Sequence, residues 1–185
     1  VKKEKPDVII THHPFIYGTK KQVFSWDKKK EAYCKKIDKL KIPVLSYHTN
    51  FDEGKGGMND ALASSLGLND IHQAISQPMM RVGELNKAMD IYEFAKYAKD
   101  KLNVDYGLLI PNGETTIKKV GIIGGGGSGY WRAAKEEGCD IYISGDAPHH
   151  VRRDIATSGY SYLDLPHEIE KIFVPTMKKI LLEMD

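Results

Sequence analysis

The stretch Val8-Ile9-Ile10-Thr11-His12-His13-Pro14 decides the fold, because a short β-branched run stops at two adjacent histidines and is then broken by proline. Three β-branched apolar residues fit a buried parallel strand. Pro14 cannot continue the hydrogen-bonded ladder, so the histidines come where the strand becomes a loop. In open α/β sheets, binding sites form outside the carboxyl ends of the strands. The sequence therefore predicts an α/β fold with functional groups at His12 and His13.

The two neighbouring imidazoles suggest more than one metal ion. Adjacent side chains in extended backbone point to opposite faces, so His12 and His13 share one small ion only if the loop twists. They can readily serve two neighbouring ions. The alternative interpretation is structural, with one capped core histidine and one surface histidine.

The composition is that of an ordinary globular protein. The 185 residues are 41% apolar and 28% charged, and they suffice for one substantial core or two small α/β lobes. The net charge of +2 lacks the strong positive excess that is typical of proteins that bind nucleic acid. No stretch approaches the roughly 20 apolar residues of a membrane span.

Cysteine usage and the start of the chain bear on location and completeness. Cys34 and Cys139 are far apart, which indicates neither a disulfide framework nor a thiolate metal cluster and favours a reducing, cytoplasmic compartment. The chain starts at Val1 without a signal-like segment. Because a strand follows within a few residues, we expect an N-terminal part of the natural domain to be missing.

Strands and helices alternate along the rest of the chain. Hydrophobic periodicity and turn residues predict helices near residues 26–41, 59–66, 90–102, 130–137 and 151–157 and after Pro166, and strands near 42–47, 106–110, 118–123, 140–144 and 160–163. The pattern of residues 7–11 recurs at 140–144, each time before a histidine pair. This repetition favours two similar α/β lobes that face one site.

Side chains that can bind metal follow four of these strands. They are His12 and His13; His48 and Asp52; Asp146, His149 and His150; and His167 and Glu170. His167 and Glu170 are three residues apart at a helix start and share one face. Nitrogen and oxygen donors without thiolates favour zinc, iron, manganese or nickel. Two such ions roughly 3.5–4 Å apart could activate a hydroxide for hydrolysis, with a carboxylate such as Asp52 bridging them.

The ordered motifs resemble the NIF-three-like dinuclear metal centre family, some of whose members carry the name GTP cyclohydrolase one, type two. The matching segments are Thr-His-His-Pro at 11–14, His-Thr-Asn-Phe-Asp at 48–52, Gly-Gly-Met-Asn-Asp at 56–60, Arg-Val-Gly-Glu-Leu at 81–85, the glycines at 124–127, Ile-Ser-Gly-Asp at 143–146 and Pro-His-Glu-Ile-Glu at 166–170. The resemblance implies one domain over residues 1–185, with two interleaved lobes of mixed, mainly parallel sheets at approximately 1–78 and 79–185. The C-terminal helix would return to the shared metal site, and the protein would form a homohexamer.

The resemblance also implies a role for individual residues. Metal ligands by motif position are His12, His13, Asp52, His167 and Glu170, which would hold two divalent transition metal ions with Asp52 as the bridge. His48 and Asp146 would lie near the metals, and His150 or Glu170 would transfer protons during catalysis. The implied activity is a metal-dependent hydrolase of GTP-cyclohydrolase type, with a small nucleotide-like substrate that could carry a phosphate.

Two alternatives use the same residues differently. Gly124, Gly126 and Gly129 satisfy G-x-G-x-x-G before Asp146, the outline of a dinucleotide-binding oxidoreductase. That interpretation leaves the histidines at 12, 13 and 167 unexplained, although the loop could still form a backbone nest for a substrate phosphate. In the other alternative the metals bind without turnover, and the protein is a metal carrier or an interaction module.

Overall fold

The computed structural model describes residues 4–184, which form two compact units, one up to Asn50 and the other from Phe51 onward. The lobes implied by the resemblance divide near residue 78 instead, and that division stays a prediction. Each unit is described below by itself.

The first unit pairs two short parallel strands connected by two helices. Strand β1 (Ile9–Thr11) pairs in parallel with β2 (Val44–Ser46), as the opening stretch predicts. The expected burial is wrong, because β1 is only partly buried and β2 is exposed. The connection holds α1 (Lys20–Trp26) and α2 (Lys28–Asp38). Asp27 separates the helices, because its carboxylate caps α2 by accepting a hydrogen bond from the Lys30 amide. The predicted helix near residues 26–41 corresponds to α2. The sequence does not predict α1.

The second unit contains a six-stranded sheet surrounded by helices. Its elements are α3 (Thr49–Glu53, which begins just before the unit), α4 (Met58–Ser65), β3 (Asn69–Gln73), β4 (Arg81–Asp90), α5 (Ile91–Leu102), β5 (Leu108–Ile110), β6 (Thr116–Ile122), α6 (Trp131–Glu136), β7 (Ile141–Gly145), α7 (His149–Thr157), β8 (Ser161–Leu165) and α8 (Phe173–Leu182). Single 3₁₀ segments, Ser128–Tyr130 and His167–Ile172, precede α6 and α8.

The sheet is mixed, as predicted for the fold class, but antiparallel pairings outnumber parallel ones among its described strands. The strand order is β3-β4-β6-β7-β8-β5. Strands β6, β7 and β8 are parallel, while β3–β4, β4–β6 and β5–β8 are antiparallel. Parallel strands place their carboxyl ends at one edge, so the segments after β6, β7 and β8 emerge together. These segments carry the glycine-rich loop, Asp146 and His167 respectively.

Strand β7 lies deep in the core of the second unit. Every residue of β7 is buried, and Ile141, Tyr142 and Ile143 are fully inaccessible. A parallel strand that is covered on both faces typically has a continuous run of apolar residues, as β7 does at 141–143. The sheet packs against helices that include α5, whose Phe94 is also fully buried. Among residues 4–184, no helix is both long and apolar enough to cross a membrane.

Two local predictions need correction, and one long strand was not predicted. Helix α4 begins at Met58 after Gly57, so Asn59 lies inside the helix instead of capping it. Glycine is required at 57, because a Cβ there would lie 1.9 Å from the Phe51 carbonyl oxygen. Helix α7 begins at His149, so the second histidine pair occupies a helical turn and not a loop. The ten-residue β4 has no clear periodicity in the sequence and was not predicted.

Candidate metal centre

Three histidines of the first unit form what we call the imidazole cluster. One ring nitrogen each of His12, His13 and His48 lies within 4.8 Å of the others, close enough for the three to hold one ion. Strand β1 ends at Thr11, so both adjacent histidines lie in a turn and the opposite-face rule for extended backbone no longer separates them. His48 follows β2, the parallel neighbour of β1. Strand pairing therefore brings it to the predicted ligands.

His12 has the hydrogen-bonding pattern of a metal-binding histidine. Its Nδ1 lies 2.7 Å from the Tyr47 carbonyl oxygen. A carbonyl only accepts, so Nδ1 carries the proton and donates, and in neutral imidazole Nε2 then carries the lone pair. Metal-ligating histidines commonly donate their second ring N–H to a carbonyl or carboxylate in this way. Burial of His12, 7% exposed, fixes the ring further.

A second set of donors, the His167 cluster, consists of Asp146, His167 and Glu170 in the second unit. His167 Nδ1 lies 2.5 Å from Asp146 Oδ2, and its Nε2 lies 2.9 Å from Glu170 Oε2. The spacing of three residues between His167 and Glu170 puts them on one side of the 3₁₀ segment, as the sequence predicts. Asp146 therefore orients the ring, while the other ring nitrogen meets the buried carboxylate of Glu170.

The electrostatics of this cluster favour a positive charge at His167. Burial lowers the pKa of the imidazole, but the hydrogen bond that His167 donates to Asp146 and the charges of Glu170 and Asp146 outweigh this effect, so the pKa is raised overall. The two carboxylates thus stabilise a proton on His167. The same carboxylates would favour a metal cation.

The turn after β7 aims Asp146 at the histidine. The backbone φ of Asp146 is +54°, in the left-handed region that aspartate tolerates better than most residues. The preceding Gly145 donates its amide to the Gly125 carbonyl at 2.7 Å. A Cβ at position 145 would lie 2.7 Å from the Leu165 carbonyl oxygen. Close backbone packing therefore requires this glycine and directs the next side chain.

The glycine-rich loop packs directly against Glu170. A Cβ at Gly125 would lie 2.0 Å from Glu170 Oε1, and one at Gly124 would lie 3.7 Å from Glu170 Cγ. Gly125 also has φ +62°, so glycine is needed for both conformation and space. At Gly126, in contrast, an added Cβ would meet nothing within 4 Å. The loop thus supports a candidate ligand as well as connecting β6 to α6.

Asp52 is buried in α3, 7% exposed, and neighbouring side chains anchor its backbone. The Asn59 amide donates to the Asp52 carbonyl at 3.1 Å. The next residue is held by Arg81, whose Nη2 donates to the Glu53 carbonyl at 2.7 Å. Arg81 is itself 1% exposed and pairs with Asp60. Sequence reasoning missed these supporting roles, although both Asn59 and Arg81 belong to segments of the resemblance.

The remaining candidate residues lie in different settings. His150 is exposed in the first turn of α7, and its catalytic role stays a prediction. A cavity of about 400 Å³ adjoins the His167 cluster, and its walls include Tyr106, Arg152 and Glu168. This volume is within the range of small-molecule sites.

The fold argues against the dinucleotide alternative. A doubly wound dinucleotide fold needs a mostly parallel open sheet, but antiparallel strands flank β6–β7–β8 on both sides. Asp146, the expected ribose-binding acid, instead contacts His167. The glycines at the start of the loop pack on protein side chains, including Leu62 and Glu170.

The mixed sheet, with imidazole and carboxylate donors after its strands, defines an α/β protein with candidate metal-binding groups. The chain belongs to the Duf34/NIF3 (NGG1p interacting factor 3) family, whose sequence model matches residues 1–185. The family membership predicted from the motifs is therefore confirmed.

Similar proteins support this assignment. A Clostridium perfringens protein named GTP cyclohydrolase 1 type 2 homolog is 32% identical over 167 residues, which are 87% of this chain and 63% of the relative. A Lactococcus lactis protein of the same name is 30% identical over 183 residues, or 97% of this chain and 70% of the relative. The chain thus spans about two thirds of the length of these relatives. The crystal structure of a Bacillus cereus protein related to NIF3 matches with a TM-score of 0.86 and 20% identity, covering 99% of this chain and 78% of that one, which confirms the fold.

Proposed function

We propose that this protein is a metal-dependent hydrolase with a dinuclear centre of zinc, iron, manganese or nickel. The proposed ligands are His12, His13, Asp52, His167 and Glu170. The observation that carries the proposal is the orientation of His12, whose Nδ1 donates to a carbonyl and leaves Nε2 as the basic nitrogen. The carboxylate-bound imidazole of His167 supports it independently.

The protein side chains would contribute positioning and proton transfer. Two divalent ions held by these ligands would supply Lewis acidity and would lower the pKa of the attacking water. Asp146 would keep His167 in one tautomer, because its carboxylate can only accept the Nδ1 proton. Asp52 is the proposed bridging carboxylate. Glu170 or His150 would accept the proton lost by the attacking water.

The proposed substrate is a small nucleotide-like molecule. The relatives are named for GTP cyclohydrolase, and we extend that substrate class to this chain as a proposal. The cavity beside the His167 cluster, about 400 Å³ in volume, offers enough room for a small ligand. Assays of GTP and simple phosphoesters with added manganese or zinc test this extension, and inactivity across the panel would favour a metal carrier.

A non-catalytic interaction module is the second candidate, favoured by the description of the family as an interacting factor. Such a protein could retain its metals without turnover. We also propose a homo-oligomer, hexameric by resemblance to the family. Light scattering on the purified protein measures the mass, and a monomer at all concentrations would refute this proposal.

Metal analysis of protein purified without chelators tests the central claim. We expect about two transition ions per chain and loss of metal in His12→Ala. His72→Ala is a matched control, because His72 Nδ1 also lies 2.7 Å from a carbonyl oxygen, that of Asp70, but in β3. Equal metal content in wild type and His12→Ala would refute the ligand assignment. Retention of both ions in Asp52→Ala would refute the bridge.

A further inference from the structure

We propose that Asn59 is a positioning residue that sets the spacing between the carboxylates of Asp52 and Glu170. The inference rests on the proposed function, because this spacing matters for binding only if both carboxylates serve metal. The three residues lie in the second unit. Asn59 forms hydrogen bonds with the backbone of Asp52 and with the backbone of Gly124, which lies against Glu170. It would act through these two segments without binding metal itself.

The Asn59 side chain joins three segments of backbone. Its Nδ2 donates to the carbonyl oxygens of Asp52 at 3.1 Å and Met79 at 3.0 Å, and its Oδ1 accepts from the Gly124 amide at 2.8 Å. Carbonyls only accept and amides only donate, so the orientation of the side-chain amide is fixed by its partners. Asn59 is fully buried. Loss of this side chain would leave buried polar groups without their partner.

The connection continues from Gly124 to Glu170. An added Cβ at Gly124 would lie 3.7 Å from Glu170 Cγ, and one at Gly125 would lie only 2.0 Å from Glu170 Oε1. The carboxylate therefore rests on the loop backbone, with no space for a methyl group between them. Because Asn59 holds the amide at the start of this loop, it fixes the surface on which Glu170 lies.

The same amide group holds the other carboxylate from its backbone. Asp52 lies in α3, and its carbonyl accepts one of the two Asn59 N–H groups. One planar group thus connects the backbone of Asp52 to the loop that supports Glu170. Asparagine suits this role because its amide offers two donors and an acceptor at fixed angles. Aspartate has the same shape but would place an oxygen against two carbonyls.

A cobalt titration of the full chain, after removal of metal with chelator and dialysis, tests the proposal. We expect Asn59→Ala to weaken Co²⁺ affinity about tenfold or more, the usual effect of losing an outer-shell partner. We also expect the visible absorption bands of bound Co²⁺ to shift, since they report ligand geometry. A purely structural role would lower the melting temperature without moving these bands.

Asn112→Ala is the matched control. Asn112, which lies between β5 and β6, also donates its Nδ2 to a backbone carbonyl, that of Ala156 at 2.7 Å, but at an exposed position. We expect its Co²⁺ affinity to stay within about twofold of wild type, since it supports neither carboxylate.

A second variant covers the case in which Asn59→Ala does not fold. Gly125→Ala keeps Asn59 but forces a methyl group against Glu170 Oε1, and we expect a similar loss of affinity. Wild-type affinity in Gly125→Ala, or in folded Asn59→Ala, overturns the inference alone. Absence of Co²⁺ binding by the wild type overturns the proposed function and the inference with it.

Discussion

Replacement of Asp60 by asparagine should destabilise the second unit by about 3 kcal/mol, because it leaves a buried guanidinium without its carboxylate. The Arg81 side chain is 2% exposed and that of Asp60 25%. At the 3.5 Å between Nη2 and Oδ2, an effective dielectric constant of about 20 gives an attraction of roughly 5 kcal/mol. Carbonyls such as those of Glu53 and Pro78 continue to accept from Arg81, which reduces the loss to about 3 kcal/mol.

Urea unfolding followed by tryptophan emission measures this loss. The chain has two tryptophans, and Trp131 is buried in the second unit whereas Trp26 is 71% exposed. A Trp26→Phe background therefore restricts the signal to Trp131. Trp131 belongs to the same core cluster as Met80 and Val82, the residues on either side of Arg81 in the chain.

An exposed ion pair provides the control. Lys179 and Glu183 are 3.8 Å apart with side chains 76% and 64% exposed, so Glu183→Gln should cost less than about 0.5 kcal/mol. A similar small cost for Asp60→Asn would refute the argument that burial makes the Arg81 pair important. A cost that disappears in high salt would refute it as well, since buried pairs are screened little.

Two other perturbations test the site. In chelator-treated protein, the raised pKa of His167 means that its stabilising contribution is complete below the unfolded value of about 6.5 and is lost as the pH rises through the folded pKa. His167→Gln should remove the fall in melting temperature that accompanies a rise in pH above about 6.5, and an unchanged pH profile would contradict the assigned contacts. Gly57→Ala should lower stability by more than about 3 kcal/mol, because its Cβ would lie 1.9 Å from the Phe51 carbonyl oxygen, whereas Gly126→Ala has open space and should stay within about 0.5 kcal/mol. Calorimetry of both glycine variants decides this, and equal melting temperatures would contradict the packing.

The parts of the fold that follow from local sequence were predictable. The run before His12 is a strand because β-branched residues favour extended backbone. Helix α5 follows from its apolar spacing and from Asp90, which caps it through the amides of Tyr92 and Glu93. Strand β4 was not predictable, since its burial comes from neighbours β3 and β6 on either side.

The candidate metal-binding side chains could be predicted from the sequence, but the residues that hold them in place could not. The spacing of His167 and Glu170 predicts that they share one face, and the structure confirms their contact. Asn59 was expected at a helix start, yet it lies inside α4 with its amide directed to Asp52 and Gly124. Spacing along the chain says nothing about partners 65 residues away. Such long-range hydrogen bonds depend on the packing of whole elements.

By itself, the sequence determined which chemistry is available and where strands stop. Ladder-breaking residues such as Pro14 and the alternation of strands with helices are local, so they can be read without coordinates. Only the tertiary structure decided that His48 joins His12 and His13, and that the glycine loop supports Glu170. The physical reason is that strand pairing and close backbone contact act between distant segments, and their geometry exists only once the chain is packed.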